Sequence, residues 1–297
     1  MYADEQGDVP NPPNTSDRLD HVAPPPRPDL GDAVLAPEGP PGSLDDAVGA
    51  DFFQPARRRS RVVGGIAIVV AGLAIASVAA SPLISVWQNR HRSHEFRYLA
   101  TENGSPLRWN PCQPIHYVVN LGAAPPGSLG DVQRAVLEVS GDTGISFVYD
   151  GLTDEIPNGE RKAFQPARYG DRWAPVLIGW VDPRTNDLGF NRGDRVAAGV
   201  ASPLFPSRTD RSIFVSGFVA INASDPNPPG FSTPGDQGPV LLHELAHVIG
   251  LGHVPEQGEL MQPSGGGLTD YGPGDLAGLH ALGRSAGCLT TPPVPAS

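Results

Sequence analysis

The chain is poor in basic residues and has a single lysine, Lys162. It contains 21 Lys and Arg against 32 Asp and Glu, which gives a formal net charge of −11. Binding to nucleic acid depends on a basic surface that neutralises phosphate charge. The sequence has no such patch with interleaved aromatic residues, and no glycine-rich phosphate loop. We therefore exclude nucleic acid as a partner.

Large apolar side chains are few in the first 56 residues. Residues 1–56 contain eleven prolines and eleven acidic residues against two arginines, so this tail carries −9 of the net charge. Such a segment cannot bury enough apolar surface to offset its chain entropy. The sequence predicts a disordered cytoplasmic tail over 1–56. Its "PPPRP" stretch is compatible with docking to a cytoplasmic partner.

One long apolar run occurs, "VVGGIAIVVAGLAIASVAAS" at residues 62–81. Its 20 uncharged residues match the thickness of a bilayer when they are helical. The basic flank "RRRSR" at 57–61 precedes the run, and dense positive charge marks the cytoplasmic side. We predict a single-pass anchor in the cell membrane, with the N-terminus cytoplasmic and residues 90–297 extracytoplasmic. A cleaved signal peptide is the alternative, although sixty residues precede the run.

Cysteine is also scarce, because Cys112 and Cys288 are the only two in the chain. Both follow the predicted membrane span, on the side that is oxidising. An even pair in such a compartment predicts one disulfide. Closing so long a loop would stabilise the fold by about 4–5 kcal/mol in the chain-entropy model. Two free buried thiols are the alternative.

Histidine is rare too, with eight in the chain, yet three occur in "HELAHVIGLGH" at 243–253. On a helix His243 and His247 lie one turn apart and face the same way, so both can bind one ion. Gly250 can adopt the positive φ that ends a helix, and the turn returns His253 as a third ligand. Three protein ligands leave a fourth position for water, which is typical of catalytic zinc. A buried helix with satisfied histidines is the alternative.

Glu244 follows the first histidine directly. It is turned about 100° around the helix axis, which places it beside the metal rather than on it. From that position its carboxylate can accept a proton from water and pass it to a leaving group. We therefore predict one catalytic Zn²⁺, with Glu244 as the general base.

The motif continues to Met261, eight residues after His253, and Pro263 follows two places later. The string H-E-x-x-H-x-x-G-x-x-H with a Met-turn is the signature of the metzincin metallopeptidases. The spacing to Met261 and the segment 272–283 are most similar to the matrixin branch. Ala246 departs from the glycine that is usual there. The resemblance implies a zinc endopeptidase acting on protein or peptide substrates, with Met261 beneath the metal.

The residue pattern and the resemblance both favour an α+β fold. The implied architecture is a metzincin-like zincin: a twisted mixed sheet of about five strands with two helices, a zinc helix, a Met-turn and a C-terminal helix. The domain is expected over 107–288, after a juxtamembrane linker at 82–106 and before a disordered tail at 289–297. Alternating or apolar runs favour strands at 114–121, 145–151, 174–183, 196–203 and 212–224.

The resemblance also implies where the substrate lies. The small-residue segment around Gly199 takes the place of the edge strand that receives a peptide through backbone hydrogen bonds. Small side chains there would let a peptide approach, or would allow tight packing against a neighbour. After the glycine run 265–267, Leu268 and Tyr271 would line the pocket for the residue that follows the cleaved bond.

Several features of the family are absent. The latency motif "PRCGxPD" does not occur, although a Cys112 thiolate on the zinc is an alternative to the disulfide. Outside the motif the domain has only His116 and His280, so a second, structural zinc lacks ligands, and nothing supports a structural Ca²⁺. Two other functions stay open: a catalytically silent surface binding protein of this fold, and a membrane-anchored scaffold that acts through its acidic tail.

Overall fold

The computed structural model describes four stretches of the chain: 95–192, 195–207, 212–224 and 226–296. The predicted tail, basic flank and membrane span lie within residues 1–81, outside these stretches, and stay predictions. Within the four stretches no helix has the length and apolar character needed to cross a membrane.

The described chain contains eleven strands, most of them short, and four helices. In chain order the strands are β1 (Arg97–Tyr98), β2 (Thr101–Glu102), β3 (Ser105–Pro106), β4 (Ile115–Asn120), β5 (Phe147–Leu152), β6 (Val176–Val181), β7 (Asn191–Arg192), β8 (Arg195–Val196), β9 (Gly199–Leu204), β10 (Ser216–Asn222) and β11 (Leu251–Gly252). The helices are α1 (Ser128–Thr143), α2 (Pro166–Tyr169), α3 (Gln237–Ile249) and α4 (Pro273–Leu282). Short 3₁₀ turns occupy Gly265–Gly267 and Arg284–Ala286.

The five predicted strands form one sheet. Its order is β5-β4-β6-β10-β9, in which all neighbours are parallel except the antiparallel pair β10 and β9. The central strands β6 and β10 are buried along their whole length, as expected for near-continuous apolar runs. Strand β5, at one edge of the sheet, alternates between half-buried and exposed residues. The prediction of a mixed five-stranded sheet in an α+β fold is confirmed.

The helices α1 and α3 pack together on one face of the sheet and enclose the main core. From α1 this core takes Val132, Val136 and Val139, which recur at helical spacing. From α3 it takes the apolar residues around Leu241 and Leu245. A second cluster, which includes Phe190, covers the opposite face of the sheet. The sheet is therefore buried on both faces, and helix α3, which carries His243 and His247, packs against both the sheet and α1.

The N-terminal boundary of the domain differs from the expected one. Residues 95–106, for which the sequence favours a linker, contain β1 and a short hairpin of β2 and β3. Strand β1 pairs with β11, and Phe96 is 6% exposed in the main core. Strands of two residues carry too weak a pattern to be found in a sequence. The folded domain therefore includes residues 95–106, ahead of the expected start at 107.

The C-terminal segment also differs from expectation. The sequence favours disorder over 289–297, but its first residues lie against the domain. Asn110 accepts a hydrogen bond from the Leu289 amide at 3.2 Å and donates one to Thr291 at 3.2 Å. The Trp173 indole donates to the Pro292 carbonyl at 3.1 Å. These contacts follow directly after the disulfide, which fixes the start of this segment.

The predicted disulfide is confirmed. Cys112 and Cys288 are bonded, with their Cα atoms 5.4 Å apart across a sequence separation of 176 residues. The bond joins the segment before β4 to the segment after α4, so it ties the two ends of the domain together. It excludes both alternatives, the free thiols and the Cys112 thiolate on the metal.

Candidate metal centre

Three imidazoles converge at the end of α3. The Nε2 atoms of His243 and His247 lie 3.1 Å apart, and that of His253 lies 3.1 Å from the first and 3.3 Å from the second. Among the described residues this is the one group of three or more His, Cys, Asp or Glu side chains that could hold a metal ion. Helix α3 supplies two of the nitrogens, and the turn after Gly250 supplies the third. Gly250 has φ 122°, as the motif predicts.

The spacing of these nitrogens matches a tetrahedral zinc site. Zinc binds imidazole nitrogen at about 2.0–2.1 Å, so two nitrogens on one tetrahedral ion lie about 3.3–3.4 Å apart. The observed separations of 3.1 to 3.3 Å are close to this value. Three imidazoles with no other ligand leave one coordination position for water. The donor set therefore fits a catalytic zinc.

The ring orientations support the same conclusion. The Nδ1 atom of His243 lies 2.7 Å from the Leu260 carbonyl oxygen, and that of His247 lies 2.7 Å from the Leu251 carbonyl oxygen. A carbonyl oxygen only accepts, so each Nδ1 carries the proton and each Nε2 presents a lone pair. Such hydrogen bonds fix the tautomer and orientation of metal-ligating histidines.

The site also keeps its imidazoles neutral. Burial, and after it the nearby His253, lowers the pKa of His243 to about 3. Burial, then His253 and then His243 hold the pKa of His247 well below its usual value. Metal binding requires neutral imidazole. Near neutral pH both ligands are therefore ready to bind without losing a proton.

Glu244 is fully buried beside the histidines and lies against strand β9. A Cβ atom built on Gly199, the first residue of β9, would come within 2.7 Å of Glu244 Cγ and of Oε1. The structure thus brings together two residues that the sequence assigned to different tasks, base and substrate edge. Ala198 and Ala201 are also 1% exposed and pack in the main core. The small residues at the start of this strand therefore pack tightly against neighbours, which is the second of the two explanations that the sequence allowed.

The turn that contains Met261 is held by two buried carboxylates, those of Asp275 and Glu259. Asp275 in α4 accepts hydrogen bonds from the Leu260 and Met261 amides, and Glu259 accepts from the Asp275 amide at 3.0 Å. Burial, and after it Glu259, raises the pKa of Asp275 to about 7. Leu260 in turn accepts from His243, so the chain of contacts runs from α4 to a metal ligand.

The turn between the second and third ligands is braced from the N-terminal segment. The Leu99 amide donates to the Gly250 carbonyl at 2.7 Å, and the Trp109 indole donates to the Val248 carbonyl at 2.7 Å. These bonds satisfy carbonyls that a helix end leaves without partners. Strand β11, which carries the acceptor for His247, pairs with β1. Nothing in the sequence indicated this contact, because it joins segments about 150 residues apart.

The two residues predicted to line the substrate pocket have different environments. Leu268 is half-buried at the edge of the main core. Tyr271 is 8% exposed, and its hydroxyl donates to the Leu242 carbonyl in α3 at 2.6 Å. The glycines 265–267 before them all have positive φ, between 59° and 71°. A positive φ at three successive positions favours glycine, which explains the glycine run in this turn.

Comparisons with known proteins show distant similarity. No known family profile and no curated protein matches the sequence. Archaemetzincin from Methanopyrus kandleri shares 15% identity over 56% of this chain and 93% of that chain, with a TM-score of 0.36. Metalloproteinase-II from Bacteroides fragilis shares 16% identity over 61% of this chain and 57% of that chain, with a TM-score of 0.32. At such scores neither carries weight for the function, which we infer from the site.

Proposed function

We propose that the chain is a zinc-dependent endopeptidase of the matrixin-like metzincin type. The observation that carries this proposal is the set of three Nε2 atoms 3.1 to 3.3 Å apart, with Glu244 adjacent on the same helix. His243, His247 and His253 would hold one zinc ion. When bound, zinc would polarise the substrate carbonyl and acidify the attacking water.

The residues of the chain supply the remaining chemistry. Glu244 takes the proton of the attacking water and passes it to the leaving amine, as a buried carboxylate next to the ligand pair can do. The Leu260 and Leu251 carbonyls keep His243 and His247 in the tautomer that presents Nε2. Met261, held by Asp275, forms part of the buried floor of the site.

The proposed substrate is a protein or peptide in extended conformation. Directly before β9 the Ala198 carbonyl accepts a hydrogen bond from the Asn222 amide of β10 at 2.9 Å. Backbone groups alternate in direction along a strand, so those of Gly199 and Ala201 point away from β10. A peptide strand could pair with these groups. Leu268 is the better candidate for contact with a substrate side chain, because the Tyr271 hydroxyl is hydrogen-bonded to the Leu242 carbonyl in α3.

We also propose that the catalytic domain is extracytoplasmic and anchored by residues 62–81. The disulfide between Cys112 and Cys288 supports an oxidising compartment. The dense arginine flank at 57–61 supports a cytoplasmic N-terminus.

A second candidate is a metal-binding surface protein without turnover. The complete burial of Glu244, at 0% exposure, favours it, because a general base must contact water and substrate. One experiment separates the two. Zinc content and cleavage of casein are measured for the purified wild-type chain and for Glu244→Gln. An endopeptidase binds about one zinc and cleaves, and the variant keeps zinc but loses about 10²–10⁴-fold in rate. Zinc binding without cleavage by the wild type would establish the second candidate.

A further inference from the structure

We infer that Gly199 is a positioning residue for Glu244: its missing side chain creates the space that the Glu244 carboxylate occupies. This inference rests on the proposed function and deepens it. It makes the first residue of β9 a determinant of where the general base lies. The position of the proposed base relative to the proposed substrate edge is then set by one van der Waals contact, between Gly199 and Glu244.

The distances leave no room for a side chain at position 199. A Cβ atom there would lie 2.7 Å from Glu244 Cγ, 2.7 Å from Oε1 and 2.9 Å from Cδ. Carbon atoms in contact are normally about 3.5–4.0 Å apart. The three nearest atoms all belong to Glu244, so a side chain at this position would displace the carboxylate before any other group.

The backbone gives no other reason for glycine at this position. Gly199 is not among the residues with positive φ. It lies opposite Ile221 in regular antiparallel pairing with β10. Glycine at a paired strand position is unfavourable, because it loses more chain entropy than other residues and adds no packing. The close approach of Glu244 accounts for a residue that local strand structure would disfavour.

Displacement of the carboxylate matters because Glu244 has little other freedom. Glu244 is 0% exposed, and its helix packs against α1 and the sheet. A Cβ at position 199 must be accommodated by rotation of the Glu244 side chain or by a shift of β9 away from α3. Either movement changes the distance between the base and the water that it must deprotonate. A shift of about 1 Å in a catalytic group can cost about 100-fold in rate.

The test is a double-mutant cycle on the full-length purified chain, with Gly199→Ala, Glu244→Ala and the double variant. We expect Gly199→Ala to keep zinc and to lower kcat on a peptide substrate about 100-fold, with little change in KM. It should also lower the Tm. In the Glu244→Ala background the clash is gone, so the same substitution should leave the Tm unchanged or raise it. This dependence on Glu244 is the coupling that the cycle measures.

Gly217→Ala is the matched control. Its Cβ would meet the Ser202 carbonyl oxygen at 3.0 Å and Val248 Cγ1 at 3.4 Å, in the same interface between sheet and α3 but away from Glu244. Its effect on Tm should be equal with and without the Glu244 side chain. If Gly199→Ala disturbed the interface in general and not Glu244, its effect on Tm would also be equal with and without the Glu244 side chain.

Each outcome decides between the possibilities. Near wild-type kcat in Gly199→Ala, or an equal loss of Tm in both backgrounds, overturns the inference alone. If Gly199→Ala does not fold but the double variant does, the coupling is demonstrated. If neither folds while Glu244→Ala does, the coupling to Glu244 is refuted. A zinc-loaded wild-type chain that cleaves no peptide overturns the proposed function, and the inference with it.

Discussion

His243 donates a hydrogen bond from Nδ1 to the Leu260 carbonyl oxygen, 2.7 Å away. The Leu260 amide in turn donates to Asp275 in α4, so the two backbone groups of Leu260 link α4 to one of the three clustered histidines. The metal centre thus depends on contacts beyond the motif.

The first prediction concerns the buried carboxylate of Asp275. Burial and Glu259 raise its pKa to about 7, whereas an unfolded Asp titrates near 3.9. The folded state therefore binds the Asp275 proton more tightly than the unfolded state does. The stability that this proton provides is lost as the pH rises from about 4 to about 7. Urea unfolding of the metal-free chain should show this loss, at most about 1.4 kcal/mol per pH unit. Asp275→Asn should remove this part of the pH dependence. An unchanged pH profile in the variant would contradict the prediction.

The second prediction concerns Phe96 and the N-terminal segment. Phe96→Ala should destabilise the fold by about 3–5 kcal/mol, as expected for loss of a buried aromatic side chain. A chain that starts at residue 107 should also bind zinc more weakly than one that starts at 90, because β1 no longer braces β11. Tm and zinc affinity of the two truncated chains measure this. Equal zinc affinity would show that 95–106 is dispensable to the site.

The third prediction separates Leu268 from Tyr271. Leu268→Ala should change which residue is preferred after the cleaved bond, with turnover retained. Tyr271→Phe removes a buried hydrogen bond to Leu242 and should cost about 0.5–1.5 kcal/mol in stability, with the preference unchanged. Cleavage profiles on a peptide library and thermal unfolding measure both effects. Altered preference in Tyr271→Phe alone would assign the pocket to Tyr271 instead.

The fourth prediction concerns the disulfide. Cys112→Ser should lower stability by about 2–5 kcal/mol, because the bond closes a loop that spans nearly the whole domain. Zinc affinity should change less, since the bond lies outside the ligand set. Cys288→Ser and the double variant should lose the same stability as Cys112→Ser. Thiol labelling of the denatured, unreduced wild type should detect no free cysteine. Detection of a free thiol would contradict the disulfide.

The fifth prediction concerns membrane topology. Protease added to intact cells should degrade the chain beyond residue 90 and leave residues 1–56 protected, because the arginine flank precedes the predicted span. Epitope tags at the two ends report the fragments. Cleavage of the N-terminal tag with protection of the C-terminal tag would reverse the orientation.

The sequence by itself predicted the three histidines that the structure brings together and the general arrangement of the fold. His243 and His247 are separated by one helical turn, and Gly250 needs a positive φ, so the geometry of these ligands follows from local backbone rules. The five strands could be predicted because apolar and alternating runs report burial directly. The disulfide could be predicted because only two cysteines occur.

Tertiary structure alone decided which residues surround those ligands. The contact of Gly199 with Glu244, the pairing of β1 with β11 and the bond from Tyr271 to Leu242 each join segments that are distant in sequence. Such contacts depend on how the sheet and helices pack, and no local periodicity encodes them. The pKa of Asp275 has the same origin, since burial and the approach of Glu259 arise only when α4 closes over the Met-turn.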